Sequence, residues 1–251
     1  METVVIMSRK GGVGKTATAH ALGAALMQRK KRVLFIDADG QCNLTLTMKA
    51  NEEQSNLYDV LCRQSSLKDA IQKTENGYII PGNEMLHAAD MTLKRTNNCF
   101  TILRESLRTV SKDFDYCIID TPAALGIVTM ICLVGADKII IPLQADIYSL
   151  QGISRMIEAL DTVKNNVGSK AKISGFLLTR YNARTVLSKQ MVEDLEKIAK
   201  KLKTKVYDSK IRECTAIKEA ALQQTDILSY APGSNAATDY NNFVDEFINQ
   251  K

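Results

Sequence analysis

Several things are missing from this sequence, and each absence closes a class of function. Its six cysteines (Cys42, Cys62, Cys99, Cys117, Cys132 and Cys214) form no C-x-x-C pair and keep no metal-ligand spacing with the two histidines, His20 and His87. Reduced thiols in a cytosolic compartment are expected, with Cys117 and Cys132 acting as small buried hydrophobes in apolar runs. No apolar run is long enough to span a membrane: the longest, Ala123 to Ala136, is interrupted by Thr129 and two glycines and reads as a core helix. No signal-peptide pattern precedes the first apolar run. No linker, internal repeat or low-complexity tract divides the chain, so residues 1–251 read as one domain. The charge excess is small: a formal +5, from 33 Lys and Arg against 28 Asp and Glu. That excess suits a polyanionic partner without demonstrating one.

What is present is concentrated near the start. The apolar run Val4–Met7 leads into Ser8-Arg9-Lys10-Gly11-Gly12-Val13-Gly14-Lys15-Thr16, and a helix-forming stretch, Ala17–Gln28, follows. Strand, glycine-rich turn and helix in that order form the context a phosphate-binding loop requires. Glycines let consecutive backbone N–H groups turn inward on an anion, and the helix adds the positive end of its dipole. Lys10 to Ala17 are thus candidate ATP contacts, with Lys15 reaching the β- and γ-phosphates and the Thr16 hydroxyl ligating Mg²⁺. Arg9 stands where the strict pattern G-x-x-x-x-G-K-[ST] has its first glycine, and Lys10 supplies a second lysine.

Further apolar runs predict buried strands at Val33–Ile36, Tyr78–Ile80, Phe114–Ile119, Asp137–Ile141 (ended by Pro142) and Ile173–Leu178. Helical spacing predicts helices near 55–61, 67–71, 100–110, 149–165, 186–202 and 236–248. Met85–Thr96 carries no strong pattern, and Asp226–Tyr230 reads as a short extended piece. The basic cluster Arg29–Arg32 suits the C-terminal end of the first helix. Strands alternating with helices make a doubly wound, mostly parallel α/β sheet covered on both faces. Chemistry in such sheets collects at the carboxyl ends of the strands, which places Asp37, Asp39 and Asp120 beside the loop. An apolar strand ending in a carboxylate, as at Asp120, is a Mg²⁺-holding arrangement.

The two-lysine loop, the segment Asp37-Ala-Asp39-Gly40-Gln-Cys42-Asn43 and the strand ending Asp120-Thr-Pro122 resemble the ParA/MinD family of deviant Walker A P-loop ATPases, in its ParA/Soj form. The likeness spans nearly the whole chain, with Gly40 and Cys42 standing where the family usually has proline and glycine. It implies that Lys10 reaches across a homodimer to the partner's nucleotide. It also implies that Asp39 orients the attacking water, that Thr16, Asp39 and Asp120 serve Mg²⁺, partly through water, and that Asp37 supports the metal shell. The implied activity is Mg·ATP-dependent DNA partition by a cytoplasmic, nucleoid-associated ATPase without stable membrane association. The ATP dimer would bind DNA nonspecifically through Arg184, Arg212 and Lys218, and a ParB-like centromere-binding partner would stimulate the hydrolysis that releases it. The segment Ile211–Ala220 departs from the family's I-P-R-N-V-R pattern, with Ala216 at its second arginine. Besides another regulatory ATPase of the same family, the alternative is a Min-type membrane-cycling division-site ATPase. It needs a basic amphipathic C-terminal helix, which Asp245 and Glu246 oppose.

Overall fold

A run such as Val33–Ile36 has no polar face to offer water, so it is stable only inside a sheet covered on both sides. The computed structural model describes residues 1–93 and 98–250. Its strands are β1 (Glu2–Ile6), β2 (Val33–Asp37), β3 (Gln72–Thr74), β4 (Gly77–Ile80), β5 (Tyr116–Asp120), β6 (Lys138–Gln144) and β7 (Lys172–Thr179). They form one sheet in the order β3-β4-β2-β5-β1-β6-β7, parallel except for the β3–β4 pair. The helices are α1 (Lys15–Gln28), α2 (Asn43–Thr47), α3 (Leu57–Leu61), α4 (Ala89–Leu93), α5 (Ile102–Arg108), α6 (Ile127–Gly135), α7 (Ile147–Val167), α8 (Val186–Lys201), α9 (Ala216–Leu222), α10 (Ile227–Tyr230) and α11 (Asn235–Ile248). Residues of α3 to α8 build the core on one face of the sheet, and those of α1, α2 and α9 to α11 build it on the other. The expected doubly wound α/β architecture is the observed one.

Four local expectations are corrected. Strand β6 does not stop at Pro142 but runs on to Gln144. The Ile140 carbonyl accepts from Met7 N just past the end of β1, so the same-facing Pro142 nitrogen meets no ladder partner and its missing N–H costs nothing. Residues 67–70 form a turn rather than a helix, and the next residues make a hairpin closed at Asn76-Gly77, with Gly77 at φ 120°. The turn residues are Glu75-Asn76, and the glycine after them takes the positive φ that closes the hairpin against Thr74. Residues 227–230 are helical because the Asp226 carboxylate accepts from Leu228 N and Ser229 N and caps them. The patternless 85–96 stretch holds a 3₁₀ turn, Glu84–Ala88, followed by α4, while residues 94–96 lie outside the described residues.

Helix α1 fixes the loop that precedes it, and its packing explains an interior glycine. A Cβ at Gly23 would stand 2.1 Å from the Phe35 ring. A mid-helix glycine costs about 1 kcal/mol against alanine. Here it lets a fully buried phenyl ring lie directly on the helix. At the far end of α1 the Arg29 guanidinium donates to the Ala25 carbonyl and to Asp245 of α11, so this cation both compensates the helix end and ties the C-terminal helix down.

His20 of α1 is 5% exposed and meets the Phe35 ring edge-on. Burial pulls its pKa down to about 4, partly offset by Asp226. Between that value and the unfolded 6.5 the unfolded chain binds a proton that the folded chain refuses, so stability falls as pH falls through this window. The loss reaches about 3 kcal/mol at most. Chemical denaturation at pH 7 and pH 4.5 should show it, and His20→Leu should flatten that part of the profile.

Candidate active site

The loop Ser8–Thr16 leaves the end of β1 and closes onto α1 as the sequence anticipated. Gly12 (φ 75°) and Gly14 (φ 86°) hold left-handed backbone, which glycine adopts without strain. A Cβ at Gly11, Gly12 or Gly14 would meet nothing within 4 Å, so the loop opens onto free space. Neighbouring strands brace it. Thr179 at the end of β7 donates to the Val13 carbonyl at 2.7 Å, and the Gln144 amide at the end of β6 donates to the Gly12 carbonyl at 3.0 Å. The Lys10 ammonium meets Asp146 at 2.6 Å.

Three acidic residues gather beside the loop. Parallel register sets Asp37 of β2 directly opposite Asp120 of β5. Asp37 is fully buried and well supplied: it accepts from Thr45 N and Oγ1 and from Asp39 N. Asp120 is 1% exposed. Its Oδ2 accepts from Thr16 Oγ1 at 2.6 Å, and its Oδ1 is buried without any partner. Burial, and then the Asp37 charge, raise the Asp120 pKa; burial also raises that of Asp37 despite the hydrogen bonds it accepts. Asp39 is partly exposed, accepts from Gln41 N, and lines the cavity into which the loop opens.

That cavity has a volume of about 600 Å³. Gly11–Ala17 form its floor, Asp39, Gln41 and His87 one end, and Pro122 to Ala124 border it. The other end is walled by Thr179, Arg180, Ile211, Glu213, Cys214 and Ile217. Arg180 and Glu213 pair at 2.7 Å across this wall. The arrangement is a phosphate cradle joined to a partly apolar slot. The slot is not contiguous in the sequence: four of its six residues come from 211–217, more than thirty positions beyond β7. The parallel bridge between Tyr181 and Arg212 brings that segment back.

A divalent cation fits this chemistry. The orphaned Asp120 oxygen is an open anionic valence beside the Thr16 hydroxyl, at the edge of the open cradle. Among the described residues no three His, Cys, Asp or Glu side chains gather into a self-sufficient metal centre. That is the expected pattern for an ion completed by phosphate oxygens and water.

The three basic residues expected to meet DNA stand in different settings. Arg184 is exposed in the turn before α8 and makes no ion pair among the described residues. The Arg212 guanidinium is bound to Asp239 of α11 at 2.6 to 3.2 Å. Lys218 lies at the rim of the cavity.

A family model described as an AAA domain matches residues 1–174. The sporulation initiation inhibitor protein Soj of Bacillus subtilis is 36% identical over 242 residues, covering 94% of each chain. A variant of Cyanothece McdA in complex with ATP superposes with a TM-score of 0.86 at 28% identity, covering all of this chain and 97% of that one. Cobyrinic acid a,c-diamide synthase of Mycobacterium smegmatis, solved with an ATP analogue and magnesium, gives a TM-score of 0.83 at 27% identity over 98% of this chain and 93% of its own.

The unpaired Asp120 oxygen makes a measurable demand. Asp120→Asn keeps an acceptor for Thr16 and removes the carboxylate whose charged form burial disfavours. Without divalent cation the variant should be at least as stable as the parent in thermal unfolding, by up to about 3 kcal/mol. Stabilisation by Mg²⁺ with a bound nucleotide should then be lost.

Proposed function

The chain belongs to the Soj/ParA family of P-loop ATPases, and from that membership we propose that it is a Mg·ATP-dependent partition ATPase. It serves the segregation of a plasmid, chromosome or mobile element in the cytoplasm, on the nucleoid. The observation that carries this reading is the Thr16–Asp120 hydrogen bond, with its spare buried carboxylate oxygen, set beside the open glycine cradle.

ATP lies with its phosphates on the N–H groups of Lys10 to Ala17 and its base in the slot between Arg180 and Ile217. Thr16 and Asp120, with Asp39 nearby, are the residues that would hold Mg²⁺, and the ion would supply positive charge to the phosphate oxygens. Lys15 neutralises the same oxygens from the protein side. Asp39, two residues beyond the buried Asp37, orients the attacking water, while Asp37 keeps the strand end fixed.

Lys10 contacts the nucleotide of a second subunit in an ATP-bridged homodimer. Its present partner supports that role. The Lys10–Asp146 pair is 41% and 25% exposed, a setting in which an ion pair contributes about 1 kcal/mol or less. Charge-assisted bonds to phosphate exceed that, so the partner's nucleotide can draw the lysine away. Hydrolysis, stimulated by a ParB-like activator, breaks the dimer and releases DNA.

DNA is bound through its phosphates. Arg184 is the best supported contact, since Arg212 is held by Asp239 and Lys218 faces the cavity. A membrane-cycling role would need an apolar helix face free to enter a lipid surface. No helix among the described residues is long and apolar enough to cross a membrane. The apolar face of α11, formed by Tyr240, Phe243, Val244 and Phe247, is entirely used in the core.

Two experiments test the reading. Lys15→Ala should abolish ATP binding, whereas Asp39→Ala should bind ATP, stop hydrolysing it and accumulate as a dimer in size-exclusion chromatography; turnover at the parent rate by Asp39→Ala would show the water-orienting role to be wrong. Random-sequence duplex DNA should be retained only with ATP and lose affinity steeply with salt. Arg184→Ala should lower the salt slope by about 1 per protomer. Absence of DNA binding in every nucleotide state would leave a dimerising ATPase without the partition role.

A further inference from the structure

His87 belongs to the stretch that carried no sequence pattern, yet its ring lines the nucleotide cavity beside Asp39. It sits on the 3₁₀ turn Glu84–Ala88, where Asn83 caps by accepting from Met85 N. Its imidazole occupies the place a side chain at residue 40 would need. A Cβ at Gly40 would stand 2.7 to 2.8 Å from the ring atoms Cδ2, Cγ and Nε2. Gly40 does not adopt left-handed backbone, so what a larger residue would meet there is the His87 ring rather than a conformational penalty.

The segment 82–87 touches the Asp39 turn at a second point. Gly82 packs so tightly on it that a Cβ would lie 3.1 Å from the Asp37 and Asp39 carbonyl oxygens. Gly82 N donates to Thr45 Oγ1, which in turn donates to Asp37. Within the turn, Asp39 N donates to Asp37 Oδ1, Asp39 Oδ1 accepts from Gln41 N, the Asp39 carbonyl accepts from Cys42 N and the Cys42 thiol donates to the Gly40 carbonyl. These bonds fix the backbone of the turn and leave Asp39 Oδ2 without a hydrogen bond among the described residues, so what packs on the turn from outside bears on where the carboxylate points.

We propose that His87 is a positioning residue for Asp39. Its ring, laid on Gly40, braces the 39–41 turn from one side while Gly82 closes it from the other, and the brace keeps the Asp39 carboxylate aimed at the terminal phosphate end of the cavity. The inference rests on the water-orienting reading of Asp39. It acts by shape, through the flat ring filling the gap over Gly40.

His87 is exposed, so its replacement leaves the core and the melting temperature unchanged. Steady-state hydrolysis of Mg·ATP by the full chain reads the effect. His87→Ala should lower kcat roughly 10- to 100-fold, the scale of a misplaced catalytic group, with KM for ATP within about twofold. Gly40→Ala displaces the ring and should give the same defect, and the double variant should be no worse than either single one. His87→Phe keeps a flat ring and should retain most of the turnover.

Parent-like kcat in His87→Ala beside an inactive Asp39→Ala would overturn the brace alone. Parent-like kcat in both would overturn the role given to Asp39, and the brace with it. Additive losses in the double variant, or a His87→Phe as poor as His87→Ala, would also overturn a steric brace.

Discussion

Two carboxylates withdrawn from water, Asp37 and Asp120, set the terms for everything around them. Parallel pairing of β2 and β5 places them in register, and the helices over the sheet remove their solvent. Asp37 is made tolerable by donors from Thr45 and Asp39 N. Asp120 receives only Thr16 and keeps one oxygen unpaired, an arrangement that costs about 1–3 kcal/mol. A chain that needed only to fold could fill that place with an apolar residue. Keeping it bare leaves an anionic valence aimed at the mouth of the phosphate loop.

The loop is not an independent flexible element. Its carbonyls are gripped by Thr179 and Gln144 from the ends of β7 and β6, and Lys10 reaches Asp146 just beyond β6. The extension of β6 past Pro142 is therefore functional geometry. Ending that strand at the proline would move Gln144 out of the register that pairs it with Thr179. The same strand ends that cover the nucleotide site hold the lysine proposed to leave it.

Charge tells a similar story when pairs are considered rather than totals. Arg29, Arg32, Arg180 and Arg212 each face a carboxylate, on Asp245, Asp115, Glu213 and Asp239 respectively. Those partners spend the arginines on fixing α11, the β5 entrance and the wall of the cavity. The positive excess open to a polyanion is thus carried by groups such as Arg184 that the fold leaves in solvent.

The sequence by itself determined the architecture and the strand–loop–helix context around the glycine-rich loop. Buried parallel strands announce themselves as uninterrupted apolar runs, and a phosphate loop needs its glycines and lysines consecutively, so both are local statements that a linear reading can recover. Lys15, Thr16, Asp39 and Asp120 stood out for that reason. What only the tertiary structure decided is what distant segments do to one another. The slot beside the cradle forms because residues 211–217 return to the end of β7, and Arg212 is occupied because α11 presents Asp239 to it. His87 was invisible because its stretch has no periodicity, and its meaning arises from an empty space at Gly40, forty-seven positions earlier. Periodicity reports which face a residue shows to the core; it carries no information about which separate faces meet, because that is fixed by packing across the sheet.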